Sequence, residues 1–388
     1  MPRELVIAAG PGEWRAALIE DAEPVELRVE RGDGVEAGSI HLGRVVRLLP
    51  ALGAAQVDIG GTRPAFLPLS QIFPRGRRLA EGERVVVQIR REAQGGKAAQ
   101  LTTAIAEQAD ITTADRYDPP QRLFPAPSFA AALTGVFPAI DRILVDEPGS
   151  IPEIRAAFPG STVAHLPESE WPFDLDALFE EVLAPTITLP GCGSIHFETS
   201  RAAVLIDVDS GTPEGGSPER TAVAVNLAAA IAIARHIRLR NLAGGIIIDF
   251  VGFDDHRARE RVRATLARCL ARDRLQPQIL GWTRLGHLEV VRRRRTRPLA
   301  DALLEAALGG AFVKTAGTVA YEALRAVRRA ARAQPGHSWR LSLAPEVAAA
   351  LDGEAAAALR ELEQRLGRSV TIAGNAGLGR DRFQIEPL

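Results

Sequence analysis

The chain has 388 residues, too many for one small module and enough for two to four domains of the usual ~100–200 residues. Its 46% hydrophobic and 24% charged content exclude a disordered chain. A net charge of −1 would exclude a nucleic-acid binder only if charge were evenly spread. It is not: positions 105–200 carry 15 acidic and 4 basic residues, and positions 233–300 carry 16 arginines against 6 acidic residues. The basic block is the footprint expected of a phosphate-backbone binder; a solvated face paired with the acidic segment is the plainer reading. Only Lys97 and Lys314 of the 47 basic residues are lysine. GC-rich coding accounts for that bias, but a planar guanidinium also grips phosphate bidentately. The N-terminal stretch lacks the pattern of a signal peptide. The most apolar run, residues 222–234, is too short for a bilayer and contains Asn226, so no membrane span is expected. Cys192 and Cys269 form no CxxC pair. A cytoplasmic, reducing location follows as the expectation.

In chain order, residues 1–31 read as a strand (ELVIAA), a turn into a short helix or hairpin (GEWRAALIE) and a strand of period two (VELRVE). Residues 36–105 hold five short strands punctuated by glycine and proline, which predicts a small closed OB-type barrel. Residues 106–139 are proline-rich and poorly periodic, and read as a linker. Residues 140–200 alternate strands (DRILVD, STVAHL, SIHFET) with helices (SIPEIRAAF, DLDALFEEVL).

Residues 201–297 are a compact αβ pattern. The strand AAVLIDVDSG precedes a long helix from about Pro218 to Leu242, with Ser217 as N-cap and Glu219 in its first turn. AGGIIIDFVGF has the continuous apolar run of a strand buried on both faces. A helix over about Asp255–Arg272 and the strand LGHLEVVRR complete the block. An alanine- and glycine-rich bridge, 298–317, leads to a small α/β domain at 318–388 (helix, strand, helix, strand).

The chemistry concentrates at two strand ends. Asp207 and Asp209 stand at i and i+2, which points both to one side of a strand, and Asp249 ends the next strand. Each alone could cap the turn that follows. Together, three like charges at one sheet edge call for a divalent cation, and oxygen-only ligation favours Mg²⁺, with Mn²⁺ as the alternative. Arg235, Arg238 and Arg240 cluster at the end of the long helix, and Arg292 and Arg293 begin the run RRRRTR. Carboxylates for a metal beside arginines for phosphate suit phosphodiester hydrolysis. In the barrel, Phe66 follows the turn GGTRPA and Lys97 lies in a GGK hairpin, an aromatic and a cation suited to single-stranded nucleic acid. Barrel core and hairpin tip are their plain readings. His256 reads as a helix-start residue, His236 and His287 as packing or surface residues, and Cys269 as core.

These residues resemble the ribonuclease E/G family of endoribonucleases. HLGRVVRLLPALGAAQVDIGGTRPAFLPL and EGERVVVQIRREAQGGKAAQLTT are similar to its S1 barrel, and LIDVDSG … NLAAAIAIARHIRLRNLAGGIIIDFVGF … LGHLEVVRRRRTR is similar to its catalytic block almost position by position. The resemblance implies an S1 (OB-fold) barrel at 36–105 inserted in an RNase H-like domain split between 1–35 and 140–200. A DNase I-like catalytic subdomain at 201–297 and a small α/β domain at 318–388 would follow. It implies hydrolysis of single-stranded RNA, such as an rRNA precursor or mRNA, to 5′-phosphate and 3′-hydroxyl ends, with metal on Asp207 and Asp249, base stacking on Phe66 and a hairpin cation at Lys97.

The chain also departs from that pattern. Asp209 stands where the family has Asn, Ala228 where it has Glu, and Gln56 where it has a second barrel aromatic. The zinc-link cysteines are missing from 298–317, so no zinc and no zinc-linked oligomer are expected. The interval 106–139 is too short for the family's 5′-sensor domain, so cleavage independent of a 5′-monophosphate is expected. A non-catalytic S1-domain RNA-binding protein of the same descent is the alternative.

Overall fold

The computed structural model describes residues 3–31, 38–91, 98–105, 111–137, 139–191, 193–200, 202–211, 218–252, 255–307 and 311–388. Two compact units form: Gly32–Pro138, and a second built from Met1–Arg31 with Ala139–Leu388. The chain opens on an antiparallel meander of β1 (Arg3–Ala9), β2 (Glu13–Glu20) and β3 (Glu23–Arg31). The residues read as a turn into a short helix or hairpin, GEWRAALIE, take the hairpin form and supply β2. Almost all of β2 is buried, so both of its faces are covered and no period-two alternation marks it as a strand.

In the unit Gly32–Pro138, β4 (Ile40–Leu49), β5 (Ala54–Asp58), β6 (Ala65–Pro68), β7 (Arg84–Arg91) and β8 (Gln100–Thr102) close into a five-stranded OB-like barrel in the order β4-β5-β6-β8-β7. Closure depends on β4, which pairs with β5 and with β7. A Cβ at Gly43 would meet the Val57 side chain at 2.5 Å and the Asp58 carbonyl at 2.8 Å, so only glycine permits that approach. Val45, Val57, Leu67, Val85, Val87, Ile89 and Leu101 fill the interior. The stretch read as a linker is more ordered than expected. It adds β9 (Gln121–Phe124) to β4, then α1 (Phe129–Val136), whose first turn is capped by Ser128.

In the other unit, β10 (Arg142–Val145) and β11 (Thr162–His165) extend the opening meander in parallel, giving the order β11-β10-β1-β2-β3. α2 (Ile151–Ala157) connects them, and α3 (Leu175–Leu183) buries Leu175, Leu178, Phe179 and Val182 in a core shared with this sheet. A second sheet contains β12 (Thr186–Thr188), β13 (Ser194–Thr199), β14 (Ala203–Asp209), β15 (Gly244–Asp249), β16 (Gln278–Trp282) and β17 (Leu288–Arg292), in the order β12-β13-β14-β15-β17-β16. α4 (Pro218–Leu239) and α5 (His256–Leu270) cover one of its faces. Val204, Ile206, Val208, Ile246 and Ile248 meet Ala229, Ile233, Ile237, Val262 and Leu266 there.

The other face is open: Leu205 is 40% and Leu280 61% exposed. β15 is therefore covered on one side only, not on both as its apolar run suggests. Among the described residues α4 is the one helix long and apolar enough to cross a membrane, and it serves here as a mostly buried core helix. The helix ends three residues before the expected Leu242, where Asn241 takes a positive φ of 53°. Ser217 lies outside the described residues.

The bridge 298–317 forms α6 (Leu299–Leu303) and the paired strands β18 (Leu304–Ala306) and β19 (Phe312–Lys314). The C-terminal part comprises α7 (Ala316–Ala333), β20 (Trp339–Leu343), α8 (Pro345–Asp352), α9 (Ala356–Leu366), β21 (Val370–Gly374) and β22 (Phe383–Pro387), with sheet order β21-β20-β22.

A buried charge cluster joins α7 to the opening meander. Glu13 is fully buried and accepts hydrogen bonds from Arg15 Nε at 2.9 Å, from Arg31 Nε at 2.7 Å and from Arg325. Arg15 also reaches Asp176 of α3 at 3.0 Å and lies 4.4 Å over the Phe179 ring. Arg328 bridges Asp146 and Glu168, and Arg329 binds Asp176 at 2.6 Å. Burial alone would push the Glu13 pKa up, but Arg15, Arg325 and Arg31 outweigh it and hold the carboxyl at about 2. The stability Glu13 contributes is therefore present above its ordinary value of 4.5 and is lost as pH falls through about 2. Removing one partner of a buried ion cluster typically costs about 3–5 kcal/mol. Glu13→Gln should lower the unfolding free energy by about that amount in urea titration at pH 7, and should reduce the acid dependence below pH 4.5.

Candidate active site

β14 alternates strictly. Val204, Ile206 and Val208 face the helices, while Leu205, Asp207 and Asp209 are exposed on the open face. β15 runs parallel to it, in a register that sets Asp207 against Asp249. Neighbouring strands lie about 4.8 Å apart, so the two carboxylates leave the same face side by side. Asn226, buried on α4, fixes this end of β15. Its Nδ2 donates to the Val251 carbonyl at 2.8 Å, and its Oδ1 accepts the Val251 N–H at 3.0 Å. One amide thus satisfies both backbone groups two residues beyond Asp249.

Asp209 is two residues on, opposite Ser194, and one of its oxygens accepts the Gly211 N–H at 2.8 Å. It therefore caps the turn after β14. The Asp249 side chain is 57% exposed. Two adjacent, solvent-accessible carboxylates fit Mg²⁺, which retains several waters and takes only one or two protein oxygens. Among the described residues no three His, Cys, Asp or Glu side chains already converge on one point, so the fit rests on the pair.

Two histidines extend the pair into a row. His287, which the sequence reading treats as a packing or surface residue, places Nε2 at 3.5 Å from Asp249 Oδ2. At the other end, His196 stands opposite Asp207, its Nδ1 hydrogen-bonded to Thr186 Oγ1 at 2.9 Å. No sequence signal marks His287; strand pairing does. Antiparallel pairing of Ile248 with Leu288 puts the preceding residue beside Asp249. His256, by contrast, opens α5 after the N-cap Asp255.

The expected arginine face divides in two. Arg292 is buried and holds Asp273 at 2.6 Å, the Asn241 side chain at 2.9 Å and the Leu242 carbonyl at 2.9 Å, so its guanidinium is consumed internally. Its place in the alternation Leu288, Val290, Arg292 marks it as inward. Arg238 is buried against Glu20 at 3.0 Å. Arg240 is buried 4.1 Å over the Phe197 ring, with Nε 3.3 Å from His236 Nδ1. Burial, Arg240 and Arg235 together lower the His236 pKa to about 3, so that ring stays neutral. These three arginines support the fold instead of offering a phosphate face. Arg235 is half-buried and donates to the Pro24 carbonyl at 3.1 Å. Arg293 is exposed, as are Arg257, Arg261 and Arg295.

On the barrel, Phe66 is half-buried on the outer side of β6, in a cross-strand row of Arg47, Gln56, Phe66, Gln100 and Arg91. An aromatic between two amides and two cations is a surface on which a base can stack while phosphates meet guanidinium. Lys97 lies outside the described residues, as does Cys192; Cys269 packs partly buried against the core of the second sheet.

A family model described as the Ribonuclease E/G family matches residues 80–295, which takes in the last two barrel strands and both aspartate-bearing strands. The chain belongs to the ribonuclease E/G family. Membership makes it an endoribonuclease acting on RNA, and its barrel fits an S1 domain. Ribonuclease G of Salmonella typhimurium (strain SL1344) is 27% identical over 487 aligned positions, covering 99% of each chain. Ribonuclease G of Escherichia coli (strain K12) is 27% identical over 495 positions, covering 100% of this chain and 98% of that one. Ribonuclease E of Synechocystis sp. is 26% identical and covers 78% of this chain and 58% of its own length. Since 487 positions are aligned to a chain of 388, at least 99 positions of the Salmonella alignment have no residue here.

Adjacent arginines of this ribonuclease E/G chain should respond differently to truncation. Arg292→Ala strands a buried Asp273 and should cost about 3–5 kcal/mol of stability in denaturant unfolding. Arg293→Ala should leave the unfolding midpoint unchanged. Phe66→Ala should weaken single-stranded RNA binding by about 1–3 kcal/mol in fluorescence-anisotropy titration, with thermal unfolding unaltered.

Proposed function

We propose that this endoribonuclease hydrolyses single-stranded RNA with Mg²⁺ at Asp207 and Asp249, leaving 5′-phosphate and 3′-hydroxyl ends. The observation that carries the reading is the parallel register setting Asp207 beside Asp249 on the open sheet face. The two aspartates would hold the ion, which when bound polarises a phosphoryl oxygen and lowers the pKa of a water. Asp209, exposed at the end of the same strand, steadies the turn at Gly211. Exposed Arg293 and its neighbours attract the RNA backbone, and the barrel row around Phe66 stacks flanking bases. The binder without turnover is the weaker reading, because exposed, laterally paired carboxylates would repel phosphate unless a cation bridged them. A cytoplasmic setting, with an rRNA precursor or mRNA as substrate, completes the proposal.

The reading also includes indifference to the RNA 5′ end. Between β8 and β10 the described residues hold only β9, α1 and a short turn, and the relatives' extra aligned positions fit a missing module. Incubating a single-stranded RNA with the protein and Mg²⁺ should give cleavage that Asp207→Asn and Asp249→Asn each reduce by at least about 100-fold. RNAs matched except for a 5′-monophosphate, triphosphate or hydroxyl should be cleaved at similar rates. Undiminished cleavage by either Asn variant would refute the site, and a strong monophosphate preference would refute the indifference.

A further inference from the structure

The arginines of α5 divide by use. Arg263 is held by Glu260 at 2.8 Å, and Arg259 lies 5.7 Å from the centre of the Trp282 ring. Arg257, Arg261 and Arg268 are exposed, and among the described residues none of the three forms an ion pair. Spacings of four and seven residues put them on one face of the helix, about 16 Å from first to last. Arg272 continues the line and pairs with Asp21 at 3.0 Å. The row weakens the helix that carries it. Like charges four residues apart repel, and Arg257 stands in the first turn, where the macrodipole disfavours a cation.

We propose that Arg257, Arg261 and Arg268 form a second RNA track, which holds backbone phosphates of the single strand beyond the cleavage point. The inference rests on the reading of single-stranded RNA as substrate and adds a surface on the helix-covered side of the sheet. Topology sets its course. β15 ends at Asp249 and α5 is the next element, so Arg257 lies toward the carboxylate end of the sheet. α5 leads back to Asp273, which Arg292 binds at 2.6 Å beside the start of β15, and exposed Arg293 follows there. A strand leaving the open face can thus turn over the end of the sheet and follow α5. The row offers no aromatic to stack a base, so its contacts grip phosphate without reading sequence. It also lacks the apolar centre of a protein interface, which favours RNA over an acidic protein.

The test is RNA binding, read without turnover. A fluorescein-labelled unstructured RNA, long enough to cover both sides of the sheet, is titrated with the full-length protein in Mg²⁺-free buffer at several salt concentrations. Each phosphate contact on a single strand adds about 0.7 to the slope of log affinity against log salt. The combined variant Arg257→Gln, Arg261→Gln, Arg268→Gln should therefore lower that slope by about 2, with thermal unfolding unaltered. Lysine at the same three positions should keep the wild-type slope. So should Arg263→Gln, which removes an arginine of the same helix already paired with Glu260. An unchanged slope in the triple Gln variant would overturn the track, as would a fall seen only with the annealed duplex. Unaltered RNA binding beside lost binding of poly-glutamate would assign the row to an acidic protein and overturn it equally. Absence of single-strand binding by the wild type would overturn the substrate reading and the track with it. The Mg²⁺ assignment stands or falls separately, on cleavage by the Asn variants.

Discussion

The parallel pairing of β14 with β15 is the constraint on which the site depends. Parallel neighbours cannot be joined by a hairpin, so the chain must cross over, and α4 is that crossover. The helix buries one face of the sheet and leaves the other open, which separates apolar from acidic positions. A slip of one residue would turn Asp249 into the space now filled by Ile248 and Val262 and bury an unpaired carboxylate. The hydrophobic face thus enforces the register, and the register brings the two carboxylates together. Asn226 adds a local lock by binding both backbone groups of Val251.

Arginine serves two purposes in this chain. At Arg15, Arg325, Arg328 and Arg292 the planar fork satisfies several buried acceptors at once, which lysine's single ammonium would do poorly. At Arg293 and along the exposed side of α5 it remains in solvent. The segregation of charge in the sequence therefore overstates the basic surface, since part of the positive block neutralises Asp273 and Glu20 internally.

Strands with one covered face were legible from composition and period, and so were the barrel and the pairing of carboxylates at two strand ends. β2 was left open between helix and hairpin, because its burial on both sides erases the alternation that identifies a strand. α8 and β22 were passed over, since a single short helix or an edge strand leaves too few positions for a period to show. The inward turn of Arg292 was readable from the alternation of β17, yet a run of four arginines obscures it. His287 and His196 become visible only when strand order is known, because neither is near an aspartate in sequence. Conversely, the segment rich in proline looked unstructured because β9 and α1 are brief and their partners lie elsewhere in the barrel unit.

The buried cluster around Glu13 has a consequence for synthesis on the ribosome. Glu13 and Arg325 are separated by 312 residues, so the carboxylate of β2 emerges long before its last cationic partner. The barrel unit, Gly32–Pro138, is continuous in sequence and can complete its pairings while the rest of the chain is still being made. The surrounding unit cannot, because its first strands are closed off by the face of α7. Assembly of that unit is therefore a late, high-contact-order event, and a nascent chain completes its barrel before it completes the sheet that carries Asp207 and Asp249.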